Sequence, residues 1–417
     1  MDHTAALCVI VSGVLTGALL LSRLAGRLRV PDILWFMLLG LVLGPFGLNL
    51  VSGDGLMGQD HVFLLGAVFL VLYEAGTGTR ISLLREHALS VGLLVTIGLL
   101  LTTVLLAAGA HLFLDYTLSQ GLLLGAVLST TDPASILPIL RRLPVPSRVV
   151  ETLVAESAIG DVTGSLLTLF LLSFFAGGSF GGMLSTGETF LWSVAGGGGA
   201  GLFLGWLFVF LTRHPRFGIF KRSVPVFLVA ILLCGFGLSL LLHLQTLLCG
   251  YLLGVAAGRG ERKGGPVARD ASSLQSPGDF GVMNDLLVYL ATFFIFLVMG
   301  TLIPRAGNGV SLPGILFFLV ALLLVVRPAV IFSLVPLDRS SRFSWREMAF
   351  MSAVRETGIM AGALLGLVHD ALPPSASAVV FGVVVGTIAV GALVAAPVAR
   401  HLKLKGEGSP GREGGAP

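Results

Sequence analysis

Ser129-Thr130-Thr131-Asp132-Pro133 interrupts one long apolar stretch of this chain, and Glu156-Ser157-Ala158-Ile159-Gly160-Asp161 interrupts the next. At membrane depth, carboxylates and a helix breaker cost several kcal/mol unless they line a cavity or bind something. Arriving as a set, they mark a site. The surroundings say that the depth is real: the 417 residues are 55% hydrophobic and 12% charged, whereas roughly a quarter of a soluble domain is charged. The chain reads as an all-α polytopic membrane protein.

Windows of about 20 apolar residues, matched to a hydrocarbon core about 30 Å thick, predict thirteen spans. They lie near 5–22, 31–52, 61–79, 87–113, 117–140, 149–177, 188–212, 223–242, 244–258, 282–304, 312–337, 347–368 and 374–399. The basic residues support the count independently. Connections after odd-numbered spans, with the tail, carry 23 of the 26 Lys and Arg; those after even-numbered spans carry Arg305 alone, and Arg327 and Arg355 fall inside spans. This is the positive-inside pattern. It predicts an inner (plasma) membrane protein with its N-terminus outside and its C-terminus in the cytoplasm, whose partner is the lipid bilayer. The net charge of +4 therefore carries no implication of nucleic acid. Cys8, Cys234 and Cys249 lie in separate spans, and no disulfide framework or metal site is indicated.

Residues 1–402 form the transmembrane domain, and the Gly-rich residues 403–417 read as a disordered cytoplasmic tail. Spans 1–6 and 8–13 can be set against each other across span 7, and an offset of seven reverses orientation. That is the arithmetic of inverted repeats, in which interrupted helices at matching positions point to a midplane site. The fifth span, with Asp132, Pro133 and Pro138, and the twelfth, with Arg355-Glu356-Thr357-Gly358, are such a pair. In the seventh span, Gly197, Gly201 and Gly205 recur at every fourth position, a spacing that suits close helix packing.

In the fifth span, Pro133 and Pro138 cannot donate to the carbonyls four residues earlier, so acceptors are released beside the Thr130 and Thr131 hydroxyls. Hard oxygen ligands of this kind suit alkali cations. In the sixth span, Ser157, Asp161, Gly164, Ser165 and Thr168 form one polar stripe bordered by Glu156 and Gly160. Close to the bilayer centre, the Asp161 carboxylate is strongly disfavoured without a proton or a cation. One carboxylate holds one or the other, so the two compete. Glu74, Arg327 and Arg355 also need counter-charges in hydrocarbon; Arg355 is expected to pair with Glu74 or Glu156, and Glu356 has no assigned partner.

These residues are where the chain resembles the cation/proton antiporter superfamily, in particular its NhaP-like and eukaryotic Na+/H+ exchanger branch. Arg29-Val30-Pro31 through Leu43-Gly44-Pro45 is similar to the family's second helix, and Leu72-Tyr73-Glu74-Ala75-Gly76 to its third. Thr131-Asp132-Pro133 resembles the unwound-helix motif, and Glu156-Ser157 with Asp161 the Glu-Ser-x-x-Asn-Asp pattern. Val325 to Pro328 and the Arg355 segment resemble the last conserved helices.

The resemblance implies a NhaA/NhaP-like fold in a homodimer: helices 1–3 and 8–10 for dimerisation, helices 4–6 and 11–13 as a mobile, ion-binding core. It implies Asp161, Glu156, Ser157 and the Thr131 backbone as ligands of Na+ or K+, Asp132 as a balance for helix-end dipoles, and Glu74 with Arg355 as a structural ion pair. Two positions depart from it. Gly160 stands where the family has Asn in electroneutral members or Asp in electrogenic ones, and Glu356 replaces a usual Gly. The expected function is antiport of a monovalent cation against H+, one for one, with no cofactor beyond the transported ions. The alternatives are a Kef-like K+ efflux system with a separate regulatory subunit, and a membrane sensor that keeps the fold without transporting. No nucleophile–base pair points to an enzyme.

Overall fold

In hydrocarbon the backbone satisfies itself only by closing its hydrogen bonds internally, and the apolar stretches accordingly form helices. A computed structural model describes residues 16–17, 23, 32–51, 56, 61–79, 88–132, 140, 143, 145–176, 182–213, 219–220, 223–262, 279–303, 312–338, 343–402 and 404. The described helices are α1 (Asp32–Leu43), α2 (Val62–Gly78), α3 (Ala88–Leu114), α4 (Leu118–Ser129), α5 (Ser147–Ala176), α6 (Gly182–Arg213) and α7 (Val224–Leu241). They continue as α8 (Thr246–Arg262), α9 (Asp279–Thr301), α10 (Leu312–Leu337), α11 (Trp345–Ala353), α12 (Ile359–Val368) and α13 (Ser375–His401). Together they occupy twelve of the thirteen expected spans, with α11 and α12 sharing one. The first span, 5–22, lies outside the described residues apart from Thr16 and Gly17.

Seven described helices are long and apolar enough to cross a membrane, among them α3, α5, α10 and α13. The shorter ones stop for identifiable reasons. The second span ends at Leu43 rather than near 52, because Pro45 and Gly47 turn the chain and Leu48 N–H closes back on the Val42 carbonyl at 2.7 Å. α4 opens with a capping box between Thr117 and Gln120, and α11 with one between Ser344 and Glu347; each satisfies two N–H groups that a helix start leaves open. Both α4 and α11 then end early, in the breaks described below.

The chain divides into two compact units. One comprises Met1–Thr79, Ser165–Ser311 and Ile359–Phe381; the other comprises Arg80–Gly164, Leu312–Gly358 and Gly382–Pro417. The first unit has a core of Phe69, Tyr73, Leu204, Phe208, Leu228, Ile231, Leu232, Leu253 and neighbours, drawn from α2, α6, α7 and α8. Its helices approach closely enough that the Gly stripe of α6 becomes obligatory. A Cβ on Gly197, Gly201 or Gly205 would run into the backbone of Gln245, Cys249 or Leu253 on or just before α8.

In the second unit, the Arg148 guanidinium at the start of α5 grips both Glu347 carboxylate oxygens, at 2.7 and 2.9 Å from Nη2. The Ser90 hydroxyl near the start of α3 donates to Asp338 Oδ2 at 2.7 Å. These contacts tie α5 to α11 and α3 to the end of α10.

The Gly stripe is directly testable. Gly201→Val forces overpacking that costs about 1–3 kcal/mol and lowers the thermal midpoint of the detergent-purified protein. Gly199→Ala, whose Cβ enters open space, leaves the midpoint unchanged or slightly raised. Equal behaviour of the two variants in scanning fluorimetry would contradict this packing.

Candidate functional site: a buried charge cluster at two helix breaks

The site lies entirely within the second unit and is built where two helices stop. α4 ends at Ser129; Thr130 turns to an extended conformation (φ −64°, ψ 146°), and Thr131 and Asp132 are not helical. The prolines singled out at 133 and 138 lie outside the described residues. α11 ends at Ala353, and residues 354–358 are again non-helical.

The breaks satisfy each other. Asp132 N–H donates to the Glu356 carbonyl at 3.0 Å. The Arg355 guanidinium donates through Nη2 to the Leu128 and Ser129 carbonyls, both at 3.0 Å, capping the last turn of α4 with a cation where a helix favours one. Thr357 N–H finds the Thr387 hydroxyl of α13 at 3.1 Å. Gly358 is required by this arrangement, because a Cβ there would coincide with the Asp132 carboxylate. Gly391 plays the same part for Glu356, whose Oε1 would lie 2.8 Å from its Cβ.

The polar stripe of α5 faces the first break. The Ser157 hydroxyl donates to the Thr131 carbonyl at 2.6 Å. A Cβ on Gly164 would strike the Thr130 methyl, and one on Gly160 would sit 3.7 Å from the Thr131 hydroxyl. Asp161, on the same stripe, is 8% exposed. Its Oδ1 has no hydrogen-bond partner among the described residues, and the Asp132 charge lies within electrostatic reach. Ser165 and Thr168, further along α5 and already in the first unit, are fully buried.

Glu156 and Arg327 form a bidentate ion pair, Nη1 to Oε1 and Nη2 to Oε2, the latter at 2.8 Å. Both residues are buried. Arg327 follows a π-helical turn, Ala321–Val326, inside α10; such turns shift the side chains after them relative to a regular helix and recur at functional sites. A cavity of about 10 Å³, the space of one water-sized sphere, is lined by Thr131, Asp132, Leu153, Glu156, Arg327, Val354, Arg355 and Glu356.

Measured against the sequence, this unit brings together Thr130, Thr131, Asp132, Glu156, Ser157, Asp161, Arg327, Arg355 and Glu356. The partner of Glu156 is a correction: it is Arg327, not Arg355. The helix break turns the Arg355 head toward open carbonyls, whereas the π turn precedes Arg327. Glu74 and Arg355 fall in different units, and Glu74 is described with Asn284 and Thr77, which donate to its Oε2. Sequence reasoning missed Thr387 and Gly391, whose contribution is a hydroxyl or the absence of a side chain. For Arg327 a signal existed: an arginine next to Pro328 inside an apolar span needs a buried anion.

The comparisons with known proteins bear on the family and the fold. The sodium/hydrogen exchanger transmembrane family matches residues 13–401. The chain is 28% identical over 365 residues to Na(+)/H(+) antiporter 1 of Methanocaldococcus jannaschii, covering 83% of this chain and 79% of that protein. It is 26% identical over 370 residues to the K(+)/H(+) antiporter NhaP of Alkalimonas amylolytica, covering 84% of this chain and 58% of that longer relative. The solved structure of the sodium proton antiporter MjNhaP1 from Methanocaldococcus jannaschii at pH 8 superposes with a TM-score of 0.76 at 22% identity, over 96% of this chain and 99% of that one. It shares the fold. With its helices, its paired breaks and a family match running over nearly its whole length, the chain belongs to the transmembrane sodium/hydrogen exchanger family.

Proposed function

We propose that this protein exchanges a monovalent cation, Na+ or K+, for H+ across the membrane by alternating access, with Asp161 holding the two in turn. The observation that carries the reading is a buried carboxylate, Asp161, whose Oδ1 accepts no hydrogen bond among the described residues. The second unit buries Asp161, Glu156 and Glu356, and Asp132 lines the same cavity as two of them. Among the described residues, the guanidinium of Arg327 is taken up by Glu156 and that of Arg355 donates to the α4 carbonyls. A buried carboxylate in a water-poor interior takes up a proton or a metal cation. Asp161, with an Oδ1 that accepts no hydrogen bond among the described residues, is in our reading the group that exchanges.

The Ser157 hydroxyl and the Thr131 carbonyl and hydroxyl complete an oxygen-rich surround of the kind alkali ions accept. Glu156, locked in its ion pair, acts through charge and by fixing α5 against α10; Asp132 and Arg355 balance the ends of the broken helices. The relatives' names, Na(+)/H(+) and K(+)/H(+) antiporter, support a monovalent cation as the partner of the proton. We further propose a homodimer, the second unit moving as the ion-binding body, and cytoplasmic placement of the basic connections.

In inverted vesicles, a dye-reported pH change on adding Na+ or K+ checks the proposal. Asp161→Asn abolishes the response while leaving the thermal midpoint of the purified protein close to wild type; retained exchange would remove Asp161 from the mechanism. Competition at one site further requires the half-saturating cation concentration to rise on acidification, by up to about tenfold per pH unit where the protonated form dominates. The ion pair has its own test. Arg327→Met strands Glu156 and costs about 3–5 kcal/mol of stability, most of which the double variant Glu156→Gln/Arg327→Met recovers. Additive losses in thermal unfolding would mean that the two residues do not form a unit.

A further inference from the structure

We infer that His61, His369 and Asp370 form a transition-metal site of the kind that takes Zn2+, in the first unit and separate from the charge cluster. His61 directly precedes α2, and His369 and Asp370 directly follow α12. His61 Nε2 lies 3.5 Å from Asp370 Oδ2, and His369 Nε2 lies 3.3 Å from Asp370 Oδ1. The three side chains present one ligand atom each within 4.8 Å of one another. Two ligands bound at about 2.0–2.1 Å to a tetrahedral ion sit about 3.3–3.4 Å apart; each imidazole already lies about that far from an Asp370 oxygen, a different oxygen for each, so a small turn of the exposed carboxylate completes the set.

Two further features suit a ligand set better than a chance cluster. The first is the placement of His369 Nδ1, 3.1 Å from the Gly366 carbonyl. A hydrogen bond there puts a proton on Nδ1 and points Nε2 toward Asp370, the usual support of a metal-bound imidazole. The second is the backbone of His61, which is left-handed (φ 56°, ψ 25°), a conformation uncommon outside glycine although tolerated by His.

The His61 and His369 side chains are 25% and 19% exposed and that of Asp370 is 79% exposed, so an ion reaches them from water and a fourth position stays open. Two imidazoles and one carboxylate favour Zn2+ and its neighbours over Na+, K+ or Mg2+. Bound metal would staple the start of α2 to the end of α12, stiffening the first unit. In the topology proposed above, both connections face the outside.

Calorimetric titration of the chelator-stripped, full-length protein with ZnCl2 tests the site. The expected result is one Zn2+ per chain, with affinity lowered at least roughly tenfold to a hundredfold in His61→Gln and in His369→Gln and unchanged in His401→Gln. MgCl2 should give no binding, and Co2+ bound to the wild-type protein should show the visible absorption of a four-coordinate site. Should either variant fail to fold, the wild-type stoichiometry and the Co2+ spectrum decide. Absence of Zn2+ binding by the wild-type protein, as expected of a bare imidazolium–carboxylate pair, overturns the inference; so does equal affinity in the three variants. Because no transport is measured, the outcome is independent of whether Asp161 exchanges ions.

Discussion

A helix that stops part-way across a membrane leaves backbone carbonyls with no water to satisfy them, and each such group costs several kcal/mol in hydrocarbon. Around that constraint the second unit is organised. Arg355 meets it at the end of α4 by donating to two carbonyls, and the break in one helix meets it in the other through the Asp132 N–H and the Glu356 carbonyl. Once the α4 carbonyls are held this way, Thr130 and Thr131 can leave the helix and lie against the polar stripe of α5. The same guanidinium adds positive charge to the interior, so that carboxylates can gather there at a tolerable cost.

The irregularities recur in a pattern. α3 and α10 occupy spans seven apart and each carries a π-helical turn, Leu94–Gly98 and Ala321–Val326; the span that follows each of them is broken. A Cβ on Gly98, in the first π turn, would sit 3.0 Å from Val330, just beyond the second. The inverted-repeat layout is therefore visible in where the backbone departs from regular helix, although the two halves share no convincing residue-level similarity. Departures from α geometry are tolerated in membranes only where protein or a cavity supports them, which is why they concentrate in this unit.

Different means hold the first unit together. Its crossings bring glycine Cα atoms against neighbouring carbonyls, and its core is aliphatic and aromatic. Close backbone approach produces strong dispersion contact where lipid supplies no hydrophobic driving force. Among the described residues, its polar contacts include Glu74 with Asn284 and Thr77, Thr79 with Tyr251, Ser239 with Thr246, and the two histidines with Asp370 at the helix ends.

Apolar run lengths and the alternation of basic connections were enough to number the spans, because transfer free energy and charge act on a segment whatever it packs against. Proline, glycine and lone carboxylates in those runs pointed to the fifth, sixth and twelfth spans, where the buried charge cluster lies, since each is costly in lipid by itself. The pairing of Glu156 with Arg327, the turning of Arg355 onto carbonyls, the cradling of Asp132 by Gly358 and the meeting of His61 with His369 were decided by the tertiary structure alone. Each depends on which of several equally charged or equally small residues distant in sequence is brought within about 3–4 Å, and at that range position, not composition, sets the energy.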